Sequence, residues 1–332
     1  MTVQITIIGT GQIGTSIGLA LGEHKDLFFR LGHDKDFKNA SQAKELGAFD
    51  RVERNLPASV AKAQVVILAI PYDQIYETLQ LIAQDLQEDA VVMDTAPVKG
   101  QVLAWARELL PDRRYFIGLA PVLNPAYLGS PGHGIEAAHA DLFQHGMMAV
   151  LPSQGVPSEA IKLATDFIHL LGAGHLFIDQ VELDSMMSAT QLLPQLLAAA
   201  LLNSTVDQPG WADIRKLADR AYAEITDAIG PSTEVGSLSA AAISASDHLV
   251  RQIDTLVSNL DLLRDLLSAR EADKLLKELS HASLGRERWI VERNSASWDM
   301  AENASKVELP SSKQVFARMF TFGGGRKSKP PK

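Results

Sequence analysis

The sequence predicts an α/β fold: a doubly wound parallel sheet over residues 1–180, then an all-helical domain over residues 181–305 and a weakly ordered basic tail over 306–332. Three observations predict it. Apolar runs of strand length alternate with helix-length stretches from Ile5 to Asp179, joined by short loops, as in a sheet whose parallel strands are linked by helices. The first apolar run is followed at once by a glycine-spaced turn and a small-residue helix. Beyond Val181 the strand signal stops and only helical spacing continues.

The glycine turn reads Gly9-Thr10-Gly11-Gln12-Ile13-Gly14, between the strand Ile5 to Ile8 and a helix through Leu21. In this context G-x-G-x-x-G is the turn of a Rossmann-type dinucleotide site. Gly9 makes the tight turn, Gly11 lets the backbone approach a pyrophosphate, and Gly14 lets the helix pack closely on the strand. The free N–H groups of Gln12 and Ile13 at the helix start then face the phosphates. A second strand, Leu27 to Gly32, ends near Asp34, roughly twenty residues past the turn, where a carboxylate accepts hydrogen bonds from the adenosine ribose. Asp34 favours NAD; the neighbouring cations Arg30 and Lys35 keep NADP possible.

The remaining elements follow in order. A helix spans Ala40 to Leu46, a short strand lies near Phe49 to Val52, and Val65 to Ile70 is an apolar strand closed by Pro71. Its end, with Ala69 and Pro71, belongs beside the glycine turn, at the mouth where open α/β sheets bind ligands. A helix over Asp73 to Leu86 leads to the strand Ala90 to Met93 and to Asp94 at the same mouth. The helix Gln101 to Leu110 and strand Tyr115 to Gly118 come next. Residues 119–134, rich in glycine and proline, form a long loop at a strand's carboxyl end, a natural place for substrate. Ala138 to Phe143 is a helix or turn. A strand at Met147 to Leu151, a helix from Ser158 to Leu171 and a strand from Leu176 to Asp179 complete the first domain. Helices are then expected over 182–189, 192–204, 212–229 and 238–269. In the last, Leu249, Ile253, Leu256, Leu260, Leu263 and Leu267 recur at steps of four and three, widened by Val250, Val257 and Leu266. A seam that wide needs a partner helix, from this chain or from a second copy in a homodimer.

Composition bounds the partners. The 332 residues suffice for two cored domains. No apolar run reaches the roughly 20 residues of a membrane span, and the chain enters a strand too early for a signal peptide. A membrane role is therefore not expected. A net charge of −9 argues against nucleic acid. Without cysteine there is no disulfide or thiolate chemistry, which fits a cytoplasmic protein. No His, Asp and Glu cluster has metal-ligand spacing.

Five segments, in order, carry a resemblance to a known family. They are the glycine turn with Asp34, Leu68-Ala69-Ile70-Pro71-Tyr72-Asp73-Gln74, Asp94 to Gly100, Glu136 to Phe143, and Gln191 to Leu201. Over roughly residues 3–285 the chain resembles the prephenate and arogenate dehydrogenases of tyrosine biosynthesis. The resemblance implies a Rossmann domain followed by a helical domain that dimerises, and NAD(P)-dependent oxidation of a small carboxylated substrate. Hydride leaves the C4 carbinol of a cyclohexadiene ring, its carboxylate leaves as CO2, and the ring becomes aromatic. A histidine sharing the hydroxyl proton and arginines pairing with the carboxylates serve that chemistry.

The chain departs from the family in its substrate half. The family's catalytic histidine position holds Ala120, and the serine of its D-x-x-S-V-K segment is Pro97. Two helical histidines become Leu192 and Gln195, and Ala221 to Asp227 lacks the family's two arginines. Substitute catalytic candidates are Lys99, whose cation could orient a carboxylate or act as a base, and His133 in the glycine-rich loop. Gln191, one helical turn before Gln195, could donate a hydrogen bond to substrate. Asn124 and His139 lie in or just after the same loop.

Overall fold

The structure, a computed structural model, describes residues 2–129, 134–230 and 233–295. These form two compact units, one ending at Gln180 and the other beginning at Val181. The basic tail and His133 lie outside the described residues.

The first unit runs β1 (Val3–Ile8), α1 (Gln12–Ala20), β2 (Phe28–His33), α2 (Phe37–Glu45), β3 (Arg51–Val52), α3 (Leu56–Val60) and β4 (Val65–Leu68). It continues α4 (Ile75–Ile82), β5 (Val91–Asp94), α5 (Gly100–Leu109), β6 (Tyr115–Val122), β7 (Met147–Pro152), α6 (Ser158–Leu170) and β8 (Gly174–Phe177). The eight strands pair in the order β3-β2-β1-β4-β5-β6-β7-β8. Every residue of β4 and β5 is buried, as the apolar runs Val65–Leu68 and Val91–Met93 require of central strands covered on both faces; Asp94 closes β5. The core joins these strands to Ile17 and Leu21 of the first crossover and to Leu163, Phe167 and Ile168 of α6.

The sheet is not wholly parallel. β6 and β7 pair antiparallel, Ala120 opposite Ala149, and β8 then runs parallel to β7. Chain connectivity is the reason. A parallel neighbour needs a crossover, usually a helix, and the described residues between β6 and β7, 123–129 and 134–146, are loops and short turns instead. α6 supplies the next crossover, so β8 follows the direction of β7.

Arg30 also differs from expectation. It is buried, with Nη2 2.7 Å from Asp50 Oδ1, Nη1 donating to the Gly18 carbonyl at 2.8 Å and to the Gly47 carbonyl at 3.1 Å. Burial pushes the Asp50 carboxyl up, but hydrogen bonds from the Arg30 side chain and backbone outweigh it and leave the carboxyl below its usual value. Arg30 thus ties α1 to the second strand and the turn after α2, and cannot reach a nucleotide 2′-phosphate.

The second unit is helical: α7 (Gln180–Met187), a π-turn (Ser188–Leu192), α8 (Leu193–Thr205), α9 (Trp211–Leu217), α10 (Arg220–Thr226), α11 (Val235–Ser244), α12 (Ser246–Ser268) and α13 (Ala272–Ser295). Two helices expected to be continuous are broken. Ala218 and Asp219 turn extended between α9 and α10, and Ala245, at φ −102° and ψ 20°, separates α11 from α12. In α12 only Leu249 of the seam is buried; Leu260 is 52% exposed and Leu267 62%. The continuous helix over 180–205 is long and apolar enough, by length and composition, to cross a membrane, which the sequence reading did not anticipate. Glu182 and Asp184 in its first turns and the π-turn at 188–192 had divided the apolar signal.

One pair of side chains makes the first unit sensitive to acid. His169 Nε2 on α6 lies 3.1 Å from His175 Nδ1 on β8, and burial holds both imidazoles below the usual histidine range. Their contribution to stability is complete above the unfolded pKa of about 6.5 and is lost as pH falls through the depressed folded values. The melting temperature should therefore fall between pH 7 and 5, and His169→Gln with His175→Gln should flatten that slope in a calorimetric pH series.

Candidate functional site

The site begins where the sheet's strand order reverses, because β1 leads outward to β2 on one side and meets β4 on the other. The Ala69 N–H donates to the Ile8 carbonyl at 2.8 Å, and the Gly9 N–H donates to the His33 carbonyl at 2.8 Å, so three strand ends converge on the turn. Gly9 has φ +92°, and a Cβ there would sit 2.2 Å from the Ala69 carbonyl oxygen. A Cβ on Gly14 would lie 1.9 Å from the Gly9 carbonyl oxygen, so α1 rests directly on the turn. Gly11 is different: a Cβ there would meet nothing within 4 Å. Its backbone faces open space, as a turn that admits a pyrophosphate requires.

α1 starts at Gln12 with no side-chain cap and no acidic residue in its first turn. Its first N–H groups and the positive end of its dipole are left to an external anion. Asp34 is fixed beside this opening. Its Oδ2 accepts from the Thr10 N–H at 2.7 Å and the Thr10 hydroxyl at 2.9 Å, and its Oδ1 accepts from the Asp36 N–H at 2.9 Å. The Thr15 hydroxyl in turn donates to the Thr10 carbonyl at 2.8 Å. Gly9, Gly11, Gln12, Ile13, Gly14, Asp34 and Ala69 are thus gathered at one mouth, with Pro71 two residues beyond Ala69. The residues fit a dinucleotide: an open glycine, an uncapped helix start and an oriented carboxylate lie in sequence along the mouth.

Asp94 and Lys99 are arranged otherwise than expected. Lys99 Nζ lies 2.6 Å from Asp94 Oδ2, and both side chains are fully buried. The Ala96 N–H donates to the same oxygen at 2.9 Å, while Asp94 Oδ1 is buried without a hydrogen-bond partner. Burial pushes the Asp94 carboxyl up, against the pull of the Lys99 ammonium. Gly118 makes room for the pair, since a Cβ there would come within 3.0 Å of the Lys99 stem. The turn after β5 folds the Lys99 ammonium inward onto Asp94, and both side chains are buried in the first unit.

The β6–β7 connection closes on the same end of the sheet. Asn124 is a clamp rather than a free donor: its Nδ2 donates to the Asp141 carbonyl at 3.1 Å and its Oδ1 accepts from the Ala126 N–H at 3.0 Å. The Tyr127 hydroxyl donates to Asp141 Oδ1 at 2.6 Å, and its ring stacks on His139 at 4.5 Å. Two hydrogen bonds reach α1. Gln12 Nε2 donates to the Ala137 carbonyl and the His139 N–H donates to Ser16 Oγ, each at 3.0 Å. Ala120 is buried on β6, facing Ala149. In the second unit, Gln191 is half-buried in the π-turn, and Gln195 Nε2 donates to the Gln191 carbonyl at 3.0 Å.

Sequence reasoning missed Thr10, Ser16, Tyr127 and Asp141. Thr10 occupies a variable position of the turn, and its pairing with Asp34 spans 24 residues. No local pattern signals such a contact. A cavity of about 680 Å³ lies at the opposite end of the sheet, where Arg107, Tyr115, Pro152 and Gly155 line it, and is no part of this site.

Comparison with known proteins places the site in context. The prephenate dehydrogenase nucleotide-binding domain family matches residues 17–176. The chain is 23% identical over 275 residues to a prephenate dehydrogenase of Bacillus subtilis, covering 82% of this chain and 72% of that one. It is 23% identical over 288 residues to a cyclohexadienyl dehydrogenase of Zymomonas mobilis, covering 85% and 94%. In fold it resembles the Aquifex aeolicus prephenate dehydrogenase solved with hydroxyphenyl propionate and NAD+, at a TM-score of 0.75 and 20% identity over 87% of this chain and 98% of that one. It also resembles the Synechocystis arogenate dehydrogenase, at 0.67 and 21% over 86% and 100%.

Removing one member of the buried pair should be costly. Lys99→Met leaves an uncompensated buried carboxylate and should destabilise the protein by about 3–5 kcal/mol in urea unfolding. Pairing it with Asp94→Leu should recover much of that loss.

Proposed function

We propose that this chain belongs to the prephenate dehydrogenase family, whose nucleotide-binding domain matches residues 17–176, and that it is a cytoplasmic NAD-dependent dehydrogenase of a small carboxylated substrate. The open backbone at Gly11 beside the clamped Asp34 carries this reading. Gly11 and the first turn of α1 hold the pyrophosphate, and Asp34 accepts from the adenosine ribose hydroxyls. Thr10 holds the Asp34 carboxylate ready for that contact. A 2′-phosphate would meet the Asp34 charge, and with Arg30 buried, Lys35 is the exposed cation left beside it. When bound, the nicotinamide supplies an acceptor for hydride from a substrate carbinol.

The substrate half sets the limits of this reading. Ala120 offers no proton acceptor where the family has its histidine, and Lys99 is engaged with Asp94. The segment at 221–227 lies largely in α10, where Arg220 pairs with Glu224 on the surface. The substrate is therefore a carboxylate of the prephenate and arogenate class held without the family's arginine anchors, and prephenate itself is a poor one. We also propose that the chain forms a homodimer through its helical unit. The exposed Leu260 and Leu267, with Val250 and Val257, form an apolar stripe along α12 that the described residues leave uncovered.

Fluorescence titration should show NADH binding more tightly than NADPH, and Asp34→Ala should narrow the difference; tighter NADPH binding overturns the cofactor assignment. Turnover of prephenate or arogenate with NAD+ should lie about 10²- to 10⁴-fold below that of a histidine-bearing relative. Ala120→His alone should recover little, because the carboxylate anchors stay absent. Robust prephenate turnover by the unaltered protein refutes the role given to Ala120. Cofactor binding with no turnover of any small carboxylated carbinol would instead favour a non-catalytic NAD-binding regulator.

Light scattering at micromolar concentration should report a dimer. Leu256→Glu with Leu260→Glu should yield monomer or insoluble protein, and a monomeric unaltered protein would exclude the interface.

A further inference from the structure

We propose that Gln12 and Ser16 are positioning residues that couple the nucleotide turn to the segment 134–141, so that a bound dinucleotide orders the chain entering β7. The inference rests on the cofactor reading above and concerns what that site controls. Gln12 and Ser16 are four residues apart and share one face of α1. Each makes one hydrogen bond to the backbone of the segment, at the Ala137 carbonyl and the His139 N–H. Gln12 is also the first helical residue, so its backbone N–H belongs to the group aimed at the phosphates. One residue therefore meets the nucleotide with its main chain and the segment with its side chain.

From there the contacts continue toward β6. The His139 ring stacks on Tyr127, the Tyr127 hydroxyl binds Asp141, and Asn124 binds the Asp141 carbonyl. Asn124 lies two residues past the end of β6 and four past Ala120. Leu142 and Phe143 are fully buried in the core and fix the far end of the segment. Residues 134–141 are held less firmly: of the eight, Ala137 alone is buried and Ile135 packs partly buried against the core. Polar contacts supply the rest of their placement, and the two to α1 are the ones a nucleotide at the turn would reinforce. Fixing α1 at its first turn fixes Gln12 and Ser16, and with them the carbonyl and N–H they hold.

Hydrogen–deuterium exchange on the full chain, with and without saturating NAD+, tests the coupling. In the unaltered protein NAD+ should slow exchange over 134–141 by about tenfold, which two hydrogen bonds of ordinary net strength can sustain. Ser16→Ala removes the acceptor of the His139 N–H and Gln12→Met removes the donor to Ala137. Each should speed exchange of this segment without cofactor and, at saturating NAD+, cut its protection to about threefold, and the double variant should abolish it, while residues 9–15 stay protected. Full protection in either single variant, protection that persists in the double variant, or a segment indifferent to bound NAD+ in the unaltered protein, overturns the coupling. A parallel NADH titration separates the two failures: without binding, the cofactor reading falls and the coupling with it; with binding and no protection, only the coupling falls.

Discussion

The contact between the start of α1 and the end of β1 is the constraint on which this protein's site depends. The Gly9 carbonyl lies so close to Gly14, and the Ala69 carbonyl so close to Gly9, that no side chain fits at either position. Glycine at 9 and 14 lets the helix descend onto the strand ends; glycine at 11 leaves the backbone bare toward solvent. The geometry converts a helix start, which always has unsatisfied N–H groups, into an anion site at the point where the strand order reverses. Asp34 owes its place to the same turn, because its oxygen accepts from the Thr10 N–H inside it.

Two ion pairs of the first unit act by subtraction: Lys99–Asp94 is fully buried, and Arg30–Asp50 buries the guanidinium but leaves its carboxylate partly exposed. Arg30 and Lys99 are the cations that a phosphate or a substrate carboxylate would otherwise find near the strand ends, and each is committed to an aspartate. A buried charge without its partner is expensive, so such pairs are hard to break for the sake of a ligand. Arg30 secures the β2 side of the turn through the carbonyls of Gly18 and Gly47. Lys99 fills the space over Gly118, beneath the strand that carries Ala120. Next to Asp34 in the chain, Lys35, Asp36 and Lys38 remain exposed.

The two units place different demands on their surroundings. The first buries a large core of strands and helices, though Leu46, Leu81 and Phe177 stay exposed on its surface. The second leaves leucines and valines of α12 and α13 in solvent, Leu276 and Val291 among them. Exposed apolar surface of this kind supports the proposed homodimer. The positions that depart from the prephenate dehydrogenase pattern are Pro97 after β5, Ala120 on β6 and residues of the helical unit, while the nucleotide turn keeps every residue its geometry needs.

The sequence by itself determined the nucleotide half: strand-length apolar runs, glycines at fixed offsets and an acid at the right distance are local signals, and each reflects a local steric or hydrogen-bonding rule. It also determined the helical character of the second unit. Tertiary structure alone decided the direction of β7, since a sequence shows a loop's length but not whether it returns or crosses over. It alone decided that Arg30 and Lys99 are buried partners of aspartates rather than ligands' cations, because local pattern does not say which way a side chain turns when its partner lies on another element or across a folded turn. The breaks at Ala218 and Ala245 were equally hidden, as neither carries a glycine or proline and the helical spacing runs through both. And the hydrogen bonds from Gln12 and Ser16, spanning 125 and 123 residues, exist only once the sheet has brought the β6–β7 connection against α1.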